Sequence, residues 1–457
     1  MTAYHATSRK FALVSHVLPP SPSGQAVVLS RLLRDIDPAQ YCLISVQDYQ
    51  RRKAVCQETS PKTVTDRLRG SYHGLPGESG IRLTRMAQTV RNYVFSTMKN
   101  VAVLRRPLIS SRPESTNCQH SLQEANGSPV PAWINSCKSW IRWIEDLLNI
   151  RRQVYQRAAR ILQIITRERC NALVACSGDL IDLPASFYAA RWADVPFYAY
   201  MFDDYATNSV PCFQRRFAQE MTARLVRQAA GVVVPNEFLA RVYQQRYGIE
   251  PRIISNPAEL DADTPLPLAP TGRPVRIVYT GAVYEAHYDA VYRLIAALRT
   301  MRESGPELHI YTSTSRKNLE QHHLGSPAVI HDAVPAVDAT RLQREADILF
   351  LPLAFDSPIP ETINTSAPGK MGELLASGRP VLVHAPRDAF VSWYFRKHDC
   401  GAVVDTKDAV LLQQAIKRLT FDLNYRQQLV LHAKERALAD FSLPVAQGRF
   451  LEMLNMQ

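Results

Sequence analysis

A lysine and a glutamate three residues apart, Lys370 and Glu373, open a short apolar-periodic stretch that reads SAPGKMGELLASGRPVLVHAP over residues 366–386. Pro368 fixes φ in the way a first helical turn tolerates, and Gly378, just past the last apolar residue, is a helix stop. Residues three apart share a helix face, here near the N-terminus, where unpaired backbone N–H groups and the helix dipole favour an anion. A lysine so placed can hold phosphate, and a glutamate can accept hydrogen bonds from a ribose diol. The same spacing also suits a plain salt bridge on a solvated helix, so spacing alone leaves both readings open.

Two further stretches carry groups that could do chemistry. The loop PPSPSGQ, residues 19–25, lies between an apolar strand and a helix, and at Gly24, beside Gln25, the backbone could approach a bound group closely. It is not a G-x-G-x-x-G loop, and an ordinary structural turn would look the same. A strand over 197–202 ends in Asp203-Asp204-Tyr205, and the carboxyl end of a parallel strand is where open α/β sheets place their sites. Either aspartate could bind an acceptor hydroxyl or a metal, or cap a helix.

The elements that would position these residues follow a repeating rhythm. Apolar strands are predicted at 11–17, 41–46, 172–176, 197–202 and 231–234, with helices at 184–192 and 237–247 and a long amphipathic pattern through Trp140, Leu147, Val154, Ile161 and Ile165. A Pro-rich run from Asn256 to Pro274 denies both helix and central strand and reads as an interdomain linker, with the boundary near 260. The rhythm then restarts, with strands at 275–280, 308–311, 328–330, 348–353, 381–383 and 401–404 and helices near 289–301, 318 and 338–345. Alternation of this kind predicts an α/β protein of two Rossmann-like parallel-sheet domains facing across a cleft. The domains are set at 10–260 and 261–435, with a C-terminal helix over 436–457 packing back on the first.

The 457 residues suffice for two cores, and 46% hydrophobic against 21% charged residues is a globular balance. No apolar run is long enough to span a membrane and the N-terminus lacks a signal-peptide layout, so a cytoplasmic protein is expected. Eight cysteines without a C-x-x-C pair signal neither zinc nor a disulfide framework, and buried free thiols are expected. No metal is expected. Of the net charge of +12, an excess of +9 falls between residues 51 and 110, where twelve Lys or Arg face three acids. Basic and apolar residues interleaved there suit an interfacial helix on anionic lipid at the inner face of the plasma membrane, or a solvated basic helix. No nucleic-acid motif accompanies the charge. Residues 50–131 read as a basic, partly disordered insertion.

With these residues in view the chain resembles the GT-B glycosyltransferases of family four, many of which build bacterial polysaccharide and cell envelope. Four stretches carry the resemblance: PPSPSGQ (19–25), GVVVPNEFLARVYQQRYG running to SNP (231–257), VYTGAVYEAHYDAVYRLIAAL (278–298), and ADILFLPL followed by PGKMGELLASGRPVL (346–382). The resemblance implies a retaining hexosyltransferase that moves a sugar from a nucleotide-diphosphate donor to a hydroxyl of a glycan or lipid-linked saccharide. It gives Glu373 the nucleotide ribose and sets Lys370, with the Pro368-Gly369 turn, beside the diphosphate. Gly281 resembles the glycine ending the first donor-domain strand, His287 stands near the place of a lysine found in relatives, and Gly24 with Gln25 reaches the donor from the acceptor domain. Asp203 or Asp204 falls near the acceptor. Glu373 resembles the second glutamate of the family's paired motif, but Thr365 stands eight positions before it, where the first glutamate belongs, and Glu361 lies four residues earlier still. Those departures motivate an alternative: a catalytically silent protein of the same fold, binding nucleotide or glycan within a membrane-associated assembly. A sugar-nucleotide epimerase on this frame fits the first loop and the PGK stretch less well.

Overall fold

The computed structural model describes residues 9–19, 21, 23–46, 68–75, 132–207, 212–260, 274–301 and 305–456. Residues 1–75 with 154–457 form one compact unit and residues 76–153 another. Of the smaller unit the described residues, 132–153, are helical. The basic segment 51–110 and the polar stretch 110–131 lie outside the described residues except for 68–75.

The larger unit contains two parallel sheets. The first comprises β1 (Phe11–Val14), β2 (Tyr41–Ser45), β3 (Ser71–Gly74), β4 (Ala172–Cys176), β5 (Phe197–Tyr200), β6 (Gly231–Val234) and β7 (Arg252–Ile253), in the order β3-β2-β1-β4-β5-β6-β7. Its helices are α1 (Gly24–Leu32), α2 (Ala132–Arg167), α3 (Asp182–Ala193), α4 (Cys212–Gln228) and α5 (Glu237–Tyr247). The second sheet comprises β8 (Arg276–Thr280), β9 (Glu307–Thr312), β10 (Val329–Asp332), β11 (Ile348–Pro352), β12 (Val381–His384) and β13 (Ala402–Val404), in the order β10-β9-β8-β11-β12-β13. Around it lie α6 (Tyr288–Arg299), α7 (Arg316–Gln321), α8 (Ala336–Glu345), α9 (Pro360–Thr365), α10 (Met371–Ala376), α11 (Phe390–Lys397), α12 (Ala409–Phe421) and α13 (Leu423–Phe441). The two doubly wound domains expected from the alternation are therefore present. In both, strand order reverses beside the first strand, between β1 and β4 and between β8 and β11, which is where such sheets open a crevice at their carboxyl ends.

Each strand of the second sheet sends alternate residues to opposite faces, and both faces are covered. Ile277, Tyr279, Ile348 and Phe350 meet Leu294 and Leu298 of α6 and Leu412 and Ile416 of α12. Val278, Leu349, Leu351 and Val383 meet Met371 and Leu375 of α10, Phe390 and Phe395 of α11, and Ala437 of α13. The chain then crosses back at Ser442. Helix α14 (Leu443–Met453) places Ala446, Phe450 and Met453 in the core of the first domain, with Phe450 edge-on to Phe11 at 5.8 Å. The return segment anticipated from 436 is thus divided: α13 stays with the second domain, and the crossing belongs to α14.

Three elements depart from the sequence reading. Residues 71–74, placed within the insertion, form the edge strand β3, registered Cys42↔Ser71 to Ser45↔Gly74 on β2. Its sequence lacks apolar alternation because an edge strand is half open to solvent; it is anchored instead by Leu75 N donating to Ser45 O at 2.6 Å and by His73 against Glu168 at 2.8 Å. The stretch 354–367, read as loop, contains α9. The first strand, expected to reach Val17, stops at Val14, and Ser15-His16-Val17 turns back with the Ser15 hydroxyl donating to Val17 O at 2.7 Å.

Candidate functional site

At the carboxyl end of β8 the chain enters Gly281, whose φ of +128° is one that side-chain-bearing residues rarely adopt. A Cβ there would stand 2.9 Å from Lys370 Nζ, so the glycine is also what leaves room for the lysine. Lys370 follows the Pro368-Gly369 turn, which Met371 N closes on Pro368 O at 2.9 Å. Its ammonium donates to the Thr280 carbonyl and lies 3.8 Å from the centre of the Tyr279 ring, whose hydroxyl donates to Ala282 O at 2.7 Å. Burial lowers the Lys370 amine to about 7, opposed in part by the Glu373 carboxylate. The helix behind it has only six residues and no capping side chain, so the macrodipole invoked from sequence has little length to act over. Positive charge at this place comes chiefly from the lysine.

His287 precedes α6, its Nδ1 buried without a hydrogen bond and its ring edge-on to Tyr284 at 4.5 Å. Burial, and after it the charge of Lys370, pushes the imidazole down to about 3, which keeps it neutral at physiological pH. Gly281, His287, Lys370 and the Pro368-Gly369 turn thus form one constellation. The loop after β11 is held over it by Asp289, which accepts from the Phe355 and Asp356 amides at 2.9 and 3.1 Å.

Glu373 makes a contact that the sequence did not signal. Its Oε1 pairs with Arg31 of α1 at 2.6 Å, the two side chains 18% and 12% exposed, and Arg31 also donates to Pro257 O at 2.8 Å. It therefore ties the two domains together rather than closing an i,i+3 pair with Lys370. Thr365 ends α9, its hydroxyl donating to Glu361 O at 3.0 Å and its carbonyl accepting from Asn236 Nδ2 at 2.8 Å. Asn236 at the same time caps α5 by accepting from Phe238 N and Leu239 N, so one side chain starts a helix in the first domain and holds the second.

In the first domain Gly24 begins α1 behind the Ser23 cap, and Gln25 donates to Ser15 Oγ at 2.8 Å. Asp204 is buried; its Oδ2 is paired with Arg246 at 2.6 Å and its Oδ1 accepts from Ala206 N at 3.2 Å. Both oxygens are engaged within the first domain, so Asp204 is placed as a structural ion pair and turn acceptor rather than as an open carboxylate. Asp203 is not so bound. Crowding by surrounding protein, and then the Asp204 charge, raises its carboxyl, and its own charge acts on Tyr284 of the second domain.

Sequence reasoning missed a second cluster at the other strand-order reversal. His16 follows β1, Asp179 follows β4, Asp182 opens α3, and Arg157 reaches in from α2. Arg157 Nη1 lies 2.8 Å from Asp179 Oδ2 and 2.6 Å from Asp182 Oδ1, while His16 Nδ1 stands 3.6 Å from Asp179 Oδ2. Among the described residues His16, Asp179 and Asp182 bring three donor atoms within 4.8 Å of one another, but the Arg157 guanidinium already sits against both carboxylates, which makes this an ion-pair network rather than a cation cage. The available signal was positional: both residues lie just past parallel strands that the doubly wound order makes neighbours.

Residues 274–422 match the family model described as glycosyl transferases group 1. Over these residues, about a third of the chain, the protein is similar to the group 1 glycosyltransferases. Its two parallel-sheet domains have the GT-B fold of several solved structures. HepE from Anabaena, in complex with UDP and glucose, superimposes with a TM-score of 0.60 at 11% identity, covering 98% of this chain and 100% of that one. A glycosyltransferase from Rickettsia africae gives 0.58 at 12%, covering 99% and 100%. Sucrose-phosphate synthase from Thermosynechococcus elongatus gives 0.58 at 12%, covering 98% of each chain. No curated protein sequence matches. The group 1 match begins two residues before β8 and so contains the Gly281, His287 and Lys370 constellation. No helix among the described residues is long and apolar enough to cross a membrane.

Proposed function

We propose that the chain is a retaining hexosyltransferase that moves a sugar from a nucleotide-diphosphate donor to a hydroxyl of a glycan or lipid-linked saccharide, in polysaccharide or cell-envelope synthesis. The observation that carries this reading is the Lys370 amine, fixed by the Thr280 carbonyl and Tyr279 at the strand-order reversal of a group 1 domain. As the anomeric carbon–oxygen bond to the diphosphate breaks, negative charge builds on the leaving phosphate, and a preorganised ammonium there lowers the barrier. The acceptor oxygen bonds to the same face of that carbon, and its proton passes to the leaving phosphate oxygen. Neither a protein base nor a metal is then required, and positioning supplies much of the rate.

In this scheme Gly281 and Pro368-Gly369 let the diphosphate approach backbone, neutral His287 borders it, and Gly24 with Gln25 reaches the donor from the first domain. Glu373 serves the ribose only through whatever its Arg31 pair leaves open, and Asp203 lies on the acceptor side. HepE, of the same fold, has been seen with UDP and with UDP-glucose, which supports a uridine nucleotide as the first donor to test. The same reading puts the protein in the cytoplasm, drawn to an anionic membrane face by residues 51–110.

Two observations favour the silent alternative: Glu373 is engaged by Arg31, and Thr365 stands where the first glutamate of the pair was expected. A panel of nucleotide-diphosphate sugars, read by nucleotide release alongside calorimetric binding, separates the two. Release with at least one donor is the expected result; binding without release or transfer would give the silent protein.

A further inference from the structure

The network at the carboxyl ends of β1 and β4 is built outward from Asp179. Its Oδ1 accepts from Ile181 N at 3.1 Å and from Asp182 N at 2.6 Å, which fixes the carboxylate on the turn entering α3. Its Oδ2 faces Arg157 on one side and His16 Nδ1 on the other. Asp182 is fully buried with Oδ2 unpartnered, and Arg157 is shared between the two carboxylates. His16 itself is 40% exposed at its side chain, whereas its Nδ1 is closed off from solvent. The ring is thus held at its Nδ1 side and partly open elsewhere, at the carboxyl end of β1 beside the strand-order reversal. Gly178 makes the seat, for a Cβ there would stand 3.3 Å from His16 Cβ and 3.5 Å from the Gln25 amide.

We propose that His16 is a catalytic residue of the acceptor site: its Nε2 accepts a hydrogen bond from the attacking hydroxyl, and Asp179 positions it by attracting the proton to Nδ1. The inference rests on the transferase reading and adds to it the group that orients the nucleophile. A carboxylate beside Nδ1 fixes the tautomer in which Nε2 carries the lone pair. His16 follows β1 beside the strand-order reversal, the place where doubly wound sheets open their crevice, so that lone pair is proposed to serve the acceptor there. Such alignment belongs to the positional component of catalysis, and loss of it reads out in turnover with acceptor rather than in nucleotide affinity.

The charged groups facing the ring are Asp179 and Asp182 from the β4–α3 turn and Arg157 from α2. Asp179 raises the imidazole above its ordinary value, Asp182 adds to this and Arg157 opposes it. Only neutral imidazole can accept the hydroxyl, so activity with acceptor rises with pH through a limb set above about 6.5.

The full chain is compared with His16→Gln and Asp179→Asn by UDP calorimetry and by nucleotide release with donor and acceptor across pH 5–9. Asn at 179 can still accept from the two amides, and thermal melting checks that each variant is folded. We expect UDP affinity within about twofold in both variants, at least tenfold loss of kcat/KM for acceptor in His16→Gln, and an acid limb moved to lower pH in Asp179→Asn. Acceptor turnover in His16→Gln within twofold of the parent, or an unmoved limb in folded Asp179→Asn, overturns the role given to this pair while leaving the transferase intact. A parent chain that binds UDP but turns over no donor overturns the transferase reading, and the role of His16 with it.

Discussion

Lys370 is the residue on which the proposed donor chemistry rests, and its state is set by burial. A lysine held near 7 by its surroundings is largely neutral at pH 8, yet a diphosphate arriving beside it favours the charged form. Binding should therefore draw a proton from solvent. Calorimetry of UDP binding at pH 8 in buffers of different ionisation enthalpy should show uptake approaching one proton, and Lys370→Met should abolish it while weakening affinity. The sign for folding runs the same way: between about pH 7 and the ordinary lysine range the unfolded chain holds the extra proton, so this site adds stability as pH rises. What was legible in sequence was the chemistry of each residue, not its partner. Lys370, Gly281 and the PG turn could be grouped because a strand-end glycine and a short helix start are local patterns. The Glu373–Arg31 pair and the His16–Asp179 contact join residues 342 and 163 positions apart, and no local pattern signals such a meeting.

At the scale of elements, the segment that carries Lys370 owes its position to close packing beneath it. Gly372, on α10, would place a Cβ 2.7 Å from Ala258 Cβ and 2.9 Å from Phe441 Cβ, so backbone and helix α13 approach as only glycine permits. Overpacking of this kind costs about 1–3 kcal/mol. Gly372→Ala should lower the midpoint of urea unfolding accordingly and, by displacing Lys370, weaken UDP binding as well; an unchanged midpoint would show that the contact yields. Parallel strands were the most legible elements, since burial on both faces makes them unbroken apolar runs such as ILFLP and VLVH. The edge strand β3 was hidden by the converse: it is half exposed and is held by backbone pairing, which leaves no mark on side-chain pattern. Helix α9 was hidden too, being six residues of mixed character begun by Pro360.

For the whole molecule, two doubly wound domains are joined at several places: through α14, through Asn236 and Asn256 donating to the Thr365 and Ala367 carbonyls at 2.8 and 3.1 Å, and through the Arg31–Glu373 pair. These contacts fix the proposed donor site of the second domain relative to the first. The charge asymmetry belongs to this scale as well. With an excess of +9 in residues 51–110, binding of the full chain to vesicles containing anionic lipid should fall steeply between low and 0.5 M salt, as screened surface attraction does. Equal binding to neutral vesicles would remove the electrostatic account. The central claim, that this chain turns over a nucleotide-diphosphate sugar with Lys370 stabilising the leaving group, is tested most directly by nucleotide release from the best donor of a panel, comparing the parent with Lys370→Ala. The account predicts release by the parent and a loss of at least tenfold in the variant, about 1.4 kcal/mol of transition-state stabilisation; equal rates in a folded variant would contradict it.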